Sequence, residues 1–278
     1  MSKWTVILHS SHRQQFSEPD GDFVFLDHQG GAEHLSRVSD AHLWSPLGGP
    51  IDRLPAVISA MTGLRTLSIG PGHVLPSVVT QLRQGDLPES LERLFVHVGG
   101  PSLTWPNVVV PNLKALYADG PFRFENRNFP RLQELSFSPQ KSLKNVQQAL
   151  DLPLEELNLL RGPFKEDVFA LLEPAGLRRL GLLSSRALTS LTGIGALSQL
   201  ESLRLKNLTS LRDISELATL EQLKELDIQY CTKISGIVAI NDLLQLRRLT
   251  LVGCKNVGLH AIQQKISTLE WANTGATT

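Results

Sequence analysis

The sequence predicts a solenoid of the α/β class. Short parallel strands would line a curved, concave face, and turns, 3₁₀ segments and short helices would form the convex side. Three observations predict it. A six-residue phrase with apolar residues, mostly leucine, at its first, fourth and sixth places occurs ten times, the tenth copy degenerate. The copies begin at Leu64, Leu91, Leu113, Leu132, Leu154, Leu177, Leu200, Leu223, Leu246 and Ile266, at intervals of 27, 22, 19, 22, 23, 23, 23, 23 and 20. Between the later copies, apolar residues return at every third place, as in Leu188, Leu191, Ile194, Leu197 and Leu200. Self-similarity at a fixed period of this length marks a stack of supersecondary units. One copy cannot bury its own leucine face; copies stacked in parallel, about 4.8 Å apart, make a continuous core.

Each segment follows from this. Residues 1–63 match no copy of the phrase and carry two apolar, strand-like runs, "WTVIL" and "FVFL". With Trp44 they are expected to form an N-terminal cap, since a stacked core needs closed ends. Residues 64–271 are the solenoid. In each copy the alternating leucines lie on one face of a strand. Copies four and five are followed by helix-like returns, "SLKNVQQALDL" and "KEDVFALLEPAG", the second ended by Pro174 and Gly176. Copies six to eight have returns with a period of three, which suits 3₁₀ segments better than α-helix. In the last copy, "ISTLEW", Trp271 is expected to take the place of the final leucine, and 272–278 to run out as a polar tail.

The phrase, and the cysteines that follow it in "LDIQYCTKIS" and "LTLVGCKNVG", resemble the leucine-rich repeats, L-x-x-L-x-L-x-x-N/C-x-L. The resemblance covers roughly residues 64–271, and "SELATLEQLKELDI" is similar to bacterial, internalin-type repeats. It implies that Cys231 and Cys254 hydrogen-bond the turn backbone as buried thiols. It also implies non-catalytic protein binding through the concave face; bacterial ubiquitin ligases with such repeats carry a separate catalytic cysteine domain, for which this chain has neither room nor a third cysteine.

If the leucines point inward, the third, fifth and seventh places of each copy point outward. The fifth and seventh places bring together Phe95, His97, Tyr117 and Asp119 on copies two and three. Further along they place Asn158, Leu160, Leu183, Arg204, Lys206, Asp227 and Gln229 on the same face, with Arg161 following Leu160. Aromatic and apolar anchors beside charged groups are what protein interfaces concentrate. In the alternative arrangement, Phe95 and Tyr117 pack on each other and on the cap, and a loop covers Leu160 and Leu183. At the second and third places, Glu155-Glu156, Arg178-Arg179, Glu201, Lys224-Glu225 and Arg247-Arg248 alternate in sign and predict a lateral ladder of ion pairs.

Composition narrows the function. Lys+Arg and Asp+Glu each number 27, so the chain lacks the basic excess of a nucleic-acid or anionic-membrane binder. "MSKWTVILHSSH" does not read as a secretory signal and no apolar run is long enough to span a bilayer, so a cytoplasmic protein is expected. Five of the eight histidines, His9, His12, His28, His34 and His42, fall near the N-terminus, where zinc or acid–base chemistry would be the rival to binding. No H-E-x-x-H, no phosphate loop and no G-x-S-x-G accompanies them. The expectation is a monomer without cofactor or metal that binds one protein partner, such as the toxin domain countered by an immunity protein; a translocated effector binding a host protein is the alternative.

Overall fold

The computed structural model describes residues 5–8, 23–25, 35–45, 49–255 and 257–275. His9, His12, Asp27, His28 and His34, with the end of the polar tail, lie outside the described residues. The chain divides into two compact units, Met1–Phe137 and Ser138–Thr278.

In the first unit the strands β1 (Thr5–Leu8), β2 (Phe23–Phe25), β3 (Asp40–Ser45), β4 (Thr66–Gly72), β5 (Arg93–Val96) and β7 (Ala115–Arg123) lie in the order β2-β1-β3-β4-β5-β7. Neighbouring strands pair in parallel. The short β6 (Leu103–Thr104) pairs with the far end of β7, and β8 begins at Glu134 and ends at Ser138. The register joins Ala41 to Leu67 and Leu43 to Ile69. "VSDAHL", from Val38, is therefore one more rung that the leucine phrase did not reveal: Val38, Ala41 and Leu43 are buried where leucines stand in later copies. Irregular intervals here are filled by aromatic rings. Trp105 lies 5.0 Å from Phe129 and 6.2 Å from Phe122, centroid to centroid, and its indole N–H donates to the carbonyl of Val108.

In the second unit β9 (Glu156–Leu160), β10 (Arg179–Leu183), β11 (Ser202–Lys206), β12 (Glu225–Gln229), β13 (Arg248–Val252) and β14 (Trp271–Asn273) follow one another in chain order, all parallel. Leu157, Leu180, Leu203, Leu226 and Leu249 fall in one row across the strands. Every member of that row is at most 2% exposed. Burying one such side chain is worth roughly 1.5–3 kcal/mol, so the rows supply the driving force for stacking. The returns differ as their sequences differ. Helices run over Lys144–Ala149 and Asp167–Leu172, and 3₁₀ segments over Ile194–Ala196, Ser215–Thr219 and Ile237–Asp242. Gly176 closes the second helical return in the left-handed region, φ 60°.

The last rung departs from expectation. Ile266–Thr268 belong to a helix, Gln263–Thr268, and Trp271 pairs with Arg248, not with Leu251. The rung is read "LEWAN", beginning at Leu269, so the interval from Leu246 is again 23 residues. Trp271 therefore occupies an outward third place and is 43% exposed. The strand also reaches Asn273, two residues into the expected tail. A weak leucine phrase let the later "L-E-W" be read three residues out of register.

Candidate functional site

Alternation along the strands sends every second side chain away from the leucine rows. On the first unit, the outward residues of β5 and β7 satisfy one another. The rings of Phe95 and Tyr117 stack with centroids 4.5 Å apart and planes inclined by 13°. The Tyr117 hydroxyl donates to Glu134 Oε2 at 2.5 Å. His97 Nδ1 meets Asp119 Oδ2 at 2.5 Å, while Asp119 Oδ1 accepts the Val98 N–H at 2.8 Å. His42 Nε2 donates to the carbonyl of Gly70, 2.7 Å away, and a Cβ on Gly70 would stand 2.8 Å from that of His97. Phe95 and Tyr117 thus pack on each other, as in the alternative arrangement, and His97 and Asp119 are joined by a hydrogen bond. Among the described residues, no group of three or more His, Cys, Asp or Glu is arranged to hold a metal ion.

On the second unit the ladder forms. Arg179 Nε meets Glu156 Oε2 at 2.6 Å and Arg204 Nε meets Asp227 Oδ2 at 3.1 Å. Glu201 is held between Arg178 at 2.5 Å and Lys224 at 3.0 Å; hydrogen bonds from Arg178 and then Lys224 hold its carboxyl below the usual range. Asn158 donates to Glu156, and Gln229 to both oxygens of Asp227. Leu160 and Leu183 are half-buried. A Cβ on Gly181 would overlap Asn158 Oδ1 and stand 3.1 Å from Leu183 Cδ1, so those two side chains fill the space that glycine leaves. Lys206 is half-exposed and Arg161 exposed. Two outward places on β8 are closed: Ser136 and Ser138 are 7% and 3% exposed.

Directly after the strands stands a column of left-handed residues: Arg161, Ser184, Asn207, Tyr230 and Gly253 have φ between 48° and 65°. Each is 23 residues from the next. This turn tips the chain inward, and the next residue is Cys231 in one rung and Cys254 in the following one. The Cys231 thiol contacts the carbonyls of Leu205 and Gln229 at 3.7 and 3.5 Å; that of Cys254 contacts those of Ile228 and Val252 at 3.7 and 3.6 Å. Both are free and buried, and burial pushes the Cys231 thiol up to about 12 and raises that of Cys254. The fold is that of the leucine-rich repeats.

No family model matches the chain, and no curated protein does. Solved leucine-rich-repeat structures are similar to it. An internalin of Listeria monocytogenes shares 16% identity over 88% of this chain and 76% of its own, with a TM-score of 0.42. A leucine-rich-repeat protein of Leptospira interrogans shares 16% over 90% and 70%, with a TM-score of 0.42. The leucine-rich-repeat domain of the type III effector XopL shares 19% over 83% and 67%, with a TM-score of 0.30.

The leucine-rich-repeat register also exposes what the choice of fifth and seventh places missed. A cavity of about 300 Å³ opens on the outward face of β9–β14. The third places, Glu156, Arg179, Ser202, Glu225, Arg248 and Trp271, line it together with Asn158, Arg204, Asp227 and Thr250. Third places alternate outward as surely as fifth ones, so the signal was present. It was masked because their opposite charges read as a self-satisfied ladder, and because Trp271 was read in the wrong register.

Proposed function

We propose that the chain is a non-catalytic protein-binding solenoid that grips one protein partner with its outward strand face. One observation carries this reading. Half-buried Leu160 and Leu183 and exposed Trp271 stand among charged side chains on the strand face of one unit, the mixture of apolar anchors and polar rim that interfaces concentrate. Phe95, His97, Tyr117 and Asp119 form a second patch on the other unit, where stacking and hydrogen bonding position the side chains and lower the entropic cost of binding. The partner we name is a bacterial toxin domain neutralised by the bound chain in the cytoplasm. Its support is the internalin-like phrasing of the later repeats and a chain with no net charge, which favours a specific over a general electrostatic partner.

A tagged chain is used to recover partners from lysate of the source cells, beside a variant with Phe95→Asp, Tyr117→Asp, Leu160→Arg and Leu183→Arg whose fold is checked by circular dichroism. One stoichiometric protein lost in the folded variant is the expected result. A toxin domain supports the neutralisation reading, and a host protein replaces it with that of a translocated effector. Equal recovery by the variant overturns the interface.

A further inference from the structure

We propose that the cavity on the outward face of β9–β14 receives a carboxylate side chain, an aspartate or glutamate of the protein partner; this rests on the protein-binding reading above.

Its carboxylates are largely spent. Glu156 accepts from Asn158 on one oxygen and from Arg179 on the other. Both oxygens of Asp227 accept from Gln229, and one also accepts from Arg204. These two carboxylates are also the sunken partners, with side chains 23% exposed.

The donors are not spent. A guanidinium offers five N–H groups. Arg204 gives Nε to Asp227 and is 57% exposed. Arg248 stands 3.7 Å from Glu225, beyond hydrogen-bond length, and is 56% exposed. Its guanidinium lies 5.4 Å from the centroid of the Trp271 ring, which holds it over the cavity without using its N–H groups. The register puts β12, with Glu225 and Asp227, between the two arginines; on the flanking strands Ser202, two residues before Arg204, and Thr250, two residues after Arg248, each add a hydroxyl to the lining. Glu225, 54% exposed, is the one carboxylate here with acceptor capacity to spare.

The cavity is therefore donor-rich. A planar, two-oxygen acceptor matches the guanidinium fork, and charge-assisted, bidentate pairs of this kind are the strong ones. A volume of about 300 Å³ holds an acidic side chain with its peptide unit, and Trp271 offers the apolar wall for its methylenes.

The test is nuclear magnetic resonance on the whole labelled chain at physiological salt, with blocked hexaglutamate as probe and hexaglutamine and oligothymidylate as comparisons. Hexaglutamate is expected to move the amides of Ser202 and Thr250 and the Trp271 indole N–H. Arg248→Gln should weaken it about tenfold, and Arg204→Gln similarly. Arg186→Gln, exposed and outside the cavity, should leave it unchanged. Arg204→Lys serves if Arg204→Gln does not fold, since it keeps the charge on Asp227 and loses the fork. Equal shifts with hexaglutamine, or shifts indifferent to Arg204 and Arg248, overturn the proposal. Tighter binding of oligothymidylate at the same residues replaces carboxylate by phosphate. If hexaglutamate binds as expected while the recovery experiment finds no partner, the cavity stands and the protein-binding reading falls. A partner that is held equally by the Arg204 and Arg248 variants gives the converse.

Discussion

At the scale of single residues, the left-handed column after the strands is where substitutions should be felt most sharply. At Gly253, φ is 65° and a Cβ would overlap the ring of Tyr230. Gly253→Ala is expected to cost about 1–2 kcal/mol from backbone conformation alone, with the steric overlap added. Adding Tyr230→Ala should remove the overlap and leave the conformational part, which urea titration of the single and double variants would separate. Glu166 is a second such position. Its Oε1 accepts the N–H groups of Thr189 and Ser190 at 2.9 and 3.0 Å and the Thr189 hydroxyl at 2.7 Å. Partial burial pushes its carboxyl up, but those hydrogen bonds outweigh burial and hold it at about 2, below its ordinary 4.5. A carboxyl depressed on folding stabilises above its unfolded value, and that contribution fades as pH falls towards the folded one. Glu166→Ala should therefore lower the melting temperature at pH 7, and the gap from the parent chain should narrow from about pH 4.5 down to about pH 2. A gap that stays constant with pH would remove the carboxylate from the explanation. The same scale shows what sequence could not say: Phe95, Tyr117, His97 and Asp119 were legible as neighbours because strand alternation is fixed. Which of the two arrangements of Phe95 and Tyr117 forms, and that His97 hydrogen-bonds Asp119, depend on rotamers, which no spacing specifies.

At the scale of the element, the 23-residue rung was legible wherever leucine held all three inward places. It became illegible where the fourth place was not leucine, as at Ala41 and Ala272. Val38, Ala41 and Leu43 make a buried rung from a phrase with a single leucine; in the last rung Ala272 pairs with Leu249 but is exposed. Burial tests size and polarity; a search for leucine tests only the commonest solution. The difference between helical and 3₁₀ returns was readable because the apolar period differs, and period fixes which residues can share a face. The Cys231–Cys254 element gives its own prediction. With both thiols buried and burial raising them, the native chain should resist a thiol reagent at pH 8, and both should react once urea unfolds it. Rapid labelling of either one in native buffer would contradict the buried rung. Within the leucine rows, Leu203→Ala should cost about 2–5 kcal/mol in a denaturant titration, because rungs on both sides press on the cavity it leaves.

At the scale of the whole molecule, balanced charge has a measurable result. With 27 acidic and 27 basic side chains and an isoelectric point near 7.1, solubility in polyethylene glycol should be lowest close to neutral pH and rise on either side. A minimum displaced by two pH units would mean that many groups titrate away from their ordinary values. The ion-pair ladder of the second unit has a further consequence, in the history of the gene. Copies of equal length can be lost or gained in frame by unequal recombination, and the leucine rows on either side would accept the new neighbour without a change of register. The ladder does not accept every neighbour. Loss of residues 177–199 would set Glu155 beside Glu201, whereas loss of 223–245 would set Glu201 beside Arg247. The second deletion keeps opposite signs in contact and the first does not. Alternating charge thus weakly favours those shortened descendants that keep opposite signs in contact, a bias that an all-leucine stack would lack.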